Sequence, residues 1–360
     1  MFRIAMCRIV ILGIVLSLGI ALAEKSAACP ICIGFPSRTD ADVLIEGYCV
    51  MLGRPDPADP FQYTPGAVLK GSYDGSSIDL LVDSATSRIL QVHPNTHVLL
   101  VQSKPNGPWQ SLGWMNESLE AVVQRVLAAG PSWKGPDAIK QRVEFFLSLV
   151  AHKDSRIREL AYLELGRAPY PMVRQLGRVI PREAIEPMLQ ERRYYEWRGL
   201  AILLLAQSDS ETDRQYVRES FQAAERFAVV THLAAWASAA MEVDAVSTMD
   251  QIEEKYFGQV DRTQEELKAI FSALSMHGSR EGFALRDRIV VCYGRLLERL
   301  PELAPQVAAD MHAWKRKELS DALAHVLDKQ HDAMDPAGII KVQRYLQSIK
   351  IAVSTGRSRD

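Results

Sequence analysis

The chain has 360 residues, 48% hydrophobic and 24% charged. This is a globular composition that excludes global disorder and a collagen-like repeat. Its 42 Lys and Arg stand against 44 Asp and Glu, a formal charge of -2, so no basic excess points to nucleic acid or an anionic membrane surface. At about 150 residues per domain the length suggests two domains.

Residues 1–23 have the pattern of a secretory signal. Arg3 and Arg8 precede an apolar run, Ile9 to Ala23, and small residues at Ala21 and Ala23 stand ahead of Glu24. As a helix that run spans about 22 Å, short of a roughly 30 Å hydrocarbon core. Cleavage is therefore expected over retention as an anchor, with the mature chain periplasmic or extracellular and free of the membrane. Export makes Cys29, Cys32 and Cys49 candidates for a disulfide. Cys29-Pro30-Ile31-Cys32 has thiol-redox spacing, but it lies in an N-terminal arm and not between a strand and a helix. The preferred reading is a structural bridge from Cys49 to Cys29 or Cys32, closing a loop of about 20 residues worth about 3 kcal/mol in the chain-entropy model. Which of the two pairs with Cys49 stays open.

Strand patterns come first: Val43–Leu52, Ala67–Lys70, Ser77–Val82, His97–Val101 and Trp109–Trp114, the last alternating apolar and polar residues. Five strands in about 75 residues predict a small closed or half-closed barrel. A helix is predicted over Glu117–Ala129, capped by Asn116, with Leu119, Val122, Val123, Val126 and Leu127 as its apolar face. Gly130-Pro131-Ser132-Trp133-Lys134-Gly135-Pro136 is turn-forming, and the density of Gly and Pro falls by about half after it. The expected organisation is a β-domain with one helix over 24–130, a linker over 131–136, a helical domain over 137–350 and a disordered tail over 351–360. A cut in the linker is expected to release two separately folded pieces.

Beyond the linker apolar residues recur at helical spacing, from Ile139–Val150 to Ile339–Ile349. The runs 200–206 and 227–241 are apolar nearly all round, which demands helices covered on both sides. Helix pairs stacked into a solenoid meet that demand. Lys153-Asp154-Ser155-Arg156-Ile157-Arg158-Glu159-Leu160-Ala161 resembles the turn and second helix of a HEAT-type repeat. Tyr195–Ala206 resembles one more distantly, and no fixed period continues past about residue 210. The whole chain resembles exported bacterial proteins that place a Cys-Pro-x-Cys just after the signal, before a small β-domain and HEAT-like helices. That β-domain is reminiscent of netrin-like, OB-type barrels. The resemblance implies an α+β fold, mostly α: a small N-terminal barrel-like domain, then a HEAT-like solenoid or irregular bundle. In metalloprotease inhibitors with such a barrel the N-terminal cysteine binds zinc. Cleavage before Glu24 leaves no cysteine first, so that activity is not implied here.

Chemical motifs are sparse. No Gly-x-Ser-x-Gly, His-Glu-x-x-His, phosphate loop or dinucleotide fingerprint occurs, so no catalytic residue or cofactor is assigned. Asp321, His325, Asp328 and Asp332 recur at the spacing of one helix face and form a weak metal candidate. The opposite stripe, Leu319, Leu323, Val326 and Leu327, marks an ordinary amphipathic surface helix equally well. His232, within the run 227–241, is expected as a hydrogen-bonded core histidine, and Cys292 as an inert buried thiol. Arg192, Arg193, Tyr194, Tyr195, Trp197 and Arg198 concentrate residue types that dominate interface hot spots and form a candidate interface. The reading is an exported, non-enzymatic protein-binding or scaffold protein whose partner is another protein, not nucleic acid. A thiol–disulfide redox protein using Cys29 and Cys32, and a hydrolase with a site assembled from distant residues, are the alternatives.

Overall fold

The computed structural model describes Ile31, residues 38–134 and residues 137–356. Its first element is a helix, α1 (Asp40–Glu46), where Val43–Glu46 were expected to open a strand. Thr39 and Asp42 form a reciprocal capping box: each side chain accepts from the other's backbone amide. That local satisfaction of orphan amides outweighs the strand preference of Val43 and Ile45. The strand begins only at β1 (Cys49–Pro55). With β2 (Tyr63–Lys70), β3 (His97–Gln102) and β4 (Trp109–Met115) it builds an antiparallel sheet in the order β2-β1-β3-β4. Cys49 to Leu52 are all buried, as a strand covered on both faces requires.

The expected strand Ser77–Val82 joins no ladder. Its Ile78 and Val82 are buried instead against Met51, Val98 and Leu100, together with Leu90 of α2 (Ser84–Val92). The segment thus covers the sheet without extending it. The strand count falls from five to four, and β2 and β4 are the sheet edges among the described residues. The opposite face, Val50, Leu52, Leu99 and Val101, shares its core with α1 and α3 (Glu117–Ala129). Asn116 caps α3 by accepting from the Leu119 amide at 2.9 Å.

The remaining elements are helical: α4 (Ala138–Leu147), α5 (Ser155–Gly166), α6 (Tyr170–Leu176), α7 (Arg182–Gln190), α8 (Arg198–Leu205), α9 (Glu211–Arg226), α10 (Leu233–Val243), α11 (Ala245–Ile252), α12 (Gln264–Gly278), α13 (Arg286–Arg299), α14 (Ala304–Ala313), α15 (Ser320–Lys329) and α16 (Pro336–Gly356). The molecule is therefore mostly helical, with one small antiparallel sheet. In α8 every residue from Gly199 to Leu205 is buried. The run 227–241 is not one helix. Ala228 and His232 take left-handed φ values of 51° and 57°, residues 227–231 form an exposed turn, and α10 starts only at Leu233. Helix α16 continues to Gly356, past the expected start of a disordered tail at 351. The principal helix contacts run between helices one or two places apart in the chain. No helix among the described residues is long and apolar enough to cross a membrane.

One apolar core crosses residues 135–136, from Val122 and Val126 on α3 to Val143 and Phe146 on α4 and Ile157 on α5. Trp133 packs on Phe145 and Phe146 with ring centroids 5.4 and 5.8 Å apart. Beside it lies an ion network. Arg142 pairs with Asp42 and with Glu164 at 2.7 Å each, Arg167 with Asp42 at 2.6 Å, and Thr39 Oγ1 donates to Glu164 at 2.5 Å. Glu164 is buried, and these donors offset what its charge loses on leaving water.

Candidate functional site

Arg192–Trp197 is a 3-10 turn between α7 and α8, and its side chains serve two surfaces. Tyr194 points inward and is buried. Its hydroxyl accepts from Arg158 Nη2 at 3.0 Å, the partner a buried phenol requires. Its ring meets Tyr162 edge-on at 5.9 Å and Trp197 at 6.0 Å. The Arg193 guanidinium lies 4.7 Å from the Tyr194 ring, and Arg193 Nε pairs with Glu191 at 2.6 Å.

Trp197 also forms the lip of a cleft of about 220 Å³ between the sheet unit and α5. Leu99, Met115, Leu119 and Leu160 give it apolar walls; Asp40, Arg156 and Glu159 are its charged groups. Arg156 lies 4.6 Å from the Trp114 ring and donates to the Trp114 carbonyl. Burial pushes the Asp40 and Glu159 carboxyls up, opposed by Arg156 at Asp40 and by Arg193 and then Arg156 at Glu159. Ligand pockets for small molecules start at about 300 Å³, so this cleft suits one large side chain better than a cofactor. A larger hollow of about 450 Å³ lies between Gly177 and Asp213. Within its wall Arg182 and Ser208 are both paired to Asp213.

The outward surface gathers residues far apart in the chain. Tyr195 is 46% exposed, with its ring 5.0 Å from His232 and 5.3 Å from the Arg198 guanidinium. Among the described residues Arg198 has no hydrogen bond or ion pair, and its Nε is buried; His232 Nε2 is likewise buried without a partner. His232 is thus not the hydrogen-bonded core residue expected. It is half-buried at the start of α10, and burial followed by the Arg198 charge pushes its pKa down, which keeps the ring neutral. Arg192 is exposed. The turn before His232 exposes Phe227 by 68%, Val229 by 43% and Val230 by 39%, and Arg226 lies 5.4 Å from the Phe227 ring. The sequence reading missed this turn, although three β-branched residues in succession, Val229-Val230-Thr231, disfavour a helix there.

The other candidates stay apart. Asp321, His325 and Asp328 are exposed on α15, which ends at Lys329. Asp332 falls in the next turn, 3.1 Å from His331, so the four do not share one helix face. No group of three metal-ligating side chains gathers among the described residues. Cys49 is a buried thiol in β1; Cys29, Cys32 and the signal-like residues 1–23 lie outside the described residues. Cys292 is buried on α13, and burial pushes its thiol up to about 12, which leaves it unreactive. Comparison with protein-family models, with curated proteins and with solved structures finds no match for the chain.

Proposed function

We propose that the protein is exported and acts as a non-enzymatic binding or scaffold protein, holding another protein through the segment Arg192–Arg198. The observation that carries this reading is Tyr195, exposed beside an Arg198 that lacks a counter-ion among the described residues, next to a turn that exposes Phe227 and two valines. Tyr and Arg are the usual anchors of protein interfaces, and clustered exposed apolar side chains mark contact surfaces. The signal-like pattern of residues 1–23 supports export to the periplasm or beyond. We read the helical half as an irregular HEAT-like array. Principal helix contacts between near neighbours, and Asp154 capping α5 through the Arg156 amide, support that reading. The sheet unit, covered below by Ser77–Val82, is read as a barrel-like cap on one end of it.

A photo-cross-linking residue in place of Tyr195, introduced in the producing cell, tests the proposal. A discrete heavier species is expected there and not at Val260, which is 93% exposed and lies outside this surface. No adduct at 195, or equal labelling at both positions, overturns the reading.

The cleft favours a second reading, a hydrolase. Carboxyls lifted by burial, as at Asp40 and Glu159, are what acid–base catalysis uses. The small cleft volume weighs toward the first.

A further inference from the structure

We propose that Arg198, Tyr195 and His232, with the Phe227–Val230 turn beside them, accept a partner segment that carries a carboxylate side chain flanked by apolar residues. This rests on the binding-protein reading and adds the partner's chemistry. Arg198 is half-buried and has given up water on one side without gaining an acceptor among the described residues. A charged group in that state gains most from an ionic partner. The guanidinium fork matches a carboxylate with two parallel hydrogen bonds, and stacking on Tyr195 fixes its plane.

The nearby acids do not supply that partner. Glu191 is held by Arg193 at 2.6 Å, Glu225 by Arg262, and exposed Glu196 pairs with no cation among the described residues. Arg192 and Arg226 also lack ion pairs there, so the surface carries unbalanced positive charge on a chain whose formal charge is -2. His232 adds a ring nitrogen without a partner among the described residues. Exposed Phe227, Val229 and Val230 offer apolar contact that a sugar–phosphate backbone cannot use. Three free cations among the described residues are also few for nucleic acid, whose affinity rests on many phosphate contacts. An acidic, apolar peptide uses both features.

The test is fluorescence anisotropy of the full chain with an end-blocked, labelled heptapeptide of alternating Phe and Glu. The Gln and Lys versions of the peptide, and a poly-dT oligonucleotide, serve as comparators. The Glu peptide is expected to bind about tenfold more tightly than the Gln version, and the Lys version more weakly still. Arg198→Ala should abolish this preference. Arg198→Lys, which keeps the charge and the fold but not the fork, should lose most of it. Arg178→Ala, at an exposed arginine elsewhere, should leave it unchanged. Equal binding of Glu and Gln peptides, an undiminished preference in Arg198→Lys, or tighter binding of the oligonucleotide overturns the proposal. Cross-links at Tyr195 combined with equal Glu and Gln binding would leave the binding-protein reading standing and remove only this one.

Discussion

His277 has no exposed surface and sits where α6, α10 and α12 meet. Its Nε2 donates to the Ser238 carbonyl at 3.0 Å, and Arg280 Nη1 lies 3.3 Å from its Nδ1. That is the bonding of a neutral ring. Burial pushes its pKa down to about 4, against the pull of Glu242. Glu242 accepts from Tyr170 at 2.6 Å and pairs with Arg174 at 2.9 Å and Arg280 at 3.2 Å. Between the ordinary histidine value near 6.5 and about 4, the unfolded chain therefore holds a proton that the folded chain refuses. Stability from this site is complete above the upper value and declines as pH falls toward the lower one, by up to roughly 3 kcal/mol. The urea midpoint of the wild type should fall further than that of His277→Gln between pH 7 and pH 4.5. Equal losses in the two proteins would show that another group governs the acid limb.

At the scale of elements, α1 depends on one side chain. The Thr39 hydroxyl accepts from the Asp42 amide and donates to Glu164. Thr39→Ala removes a helix cap worth about 1 kcal/mol. It also takes a donor from a buried carboxylate, which adds about as much again. Thr39→Ser keeps the hydroxyl and should remain near wild type in chemical denaturation; if both variants melt alike, the hydroxyl has no such role. The capping box was visible as the three-residue spacing from Thr39 to Asp42, but the β-branched run after it had the stronger pattern. Helices α3 and α5 were legible because their caps, Asn116 and Asp154, adjoin clear apolar periodicity. Ser77–Val82 misled for a different reason: apolar spacing reports burial, and pairing in a ladder is a separate matter. The cluster Arg192–Arg198 stood out by composition alone. Its division into an inward Tyr194, held by Arg158 and Tyr162, and an outward Tyr195 beside His232 depends on residues brought in from other elements.

For the molecule as a whole, the shared core outweighs the change of pattern near residue 135. Trp133 on Phe145 and Phe146, and Arg142 bridging Asp42 and Glu164, join the halves by apolar and ionic contacts. The expected release of two separately folded pieces gives way to a different outcome. A chain cut between Lys134 and Asp137 should elute from gel filtration in buffer as one species of native size, and separate only in urea. Two native peaks would restore the picture of independent domains. The continuity of that core also sets an order in time. Val122 and Val126 of α3 are made before Phe146 and Ile157, which belong to the same core. Until synthesis has passed α5, the nascent chain holds only part of that core, and a ribosome stalled in that interval displays apolar side chains that the finished protein buries.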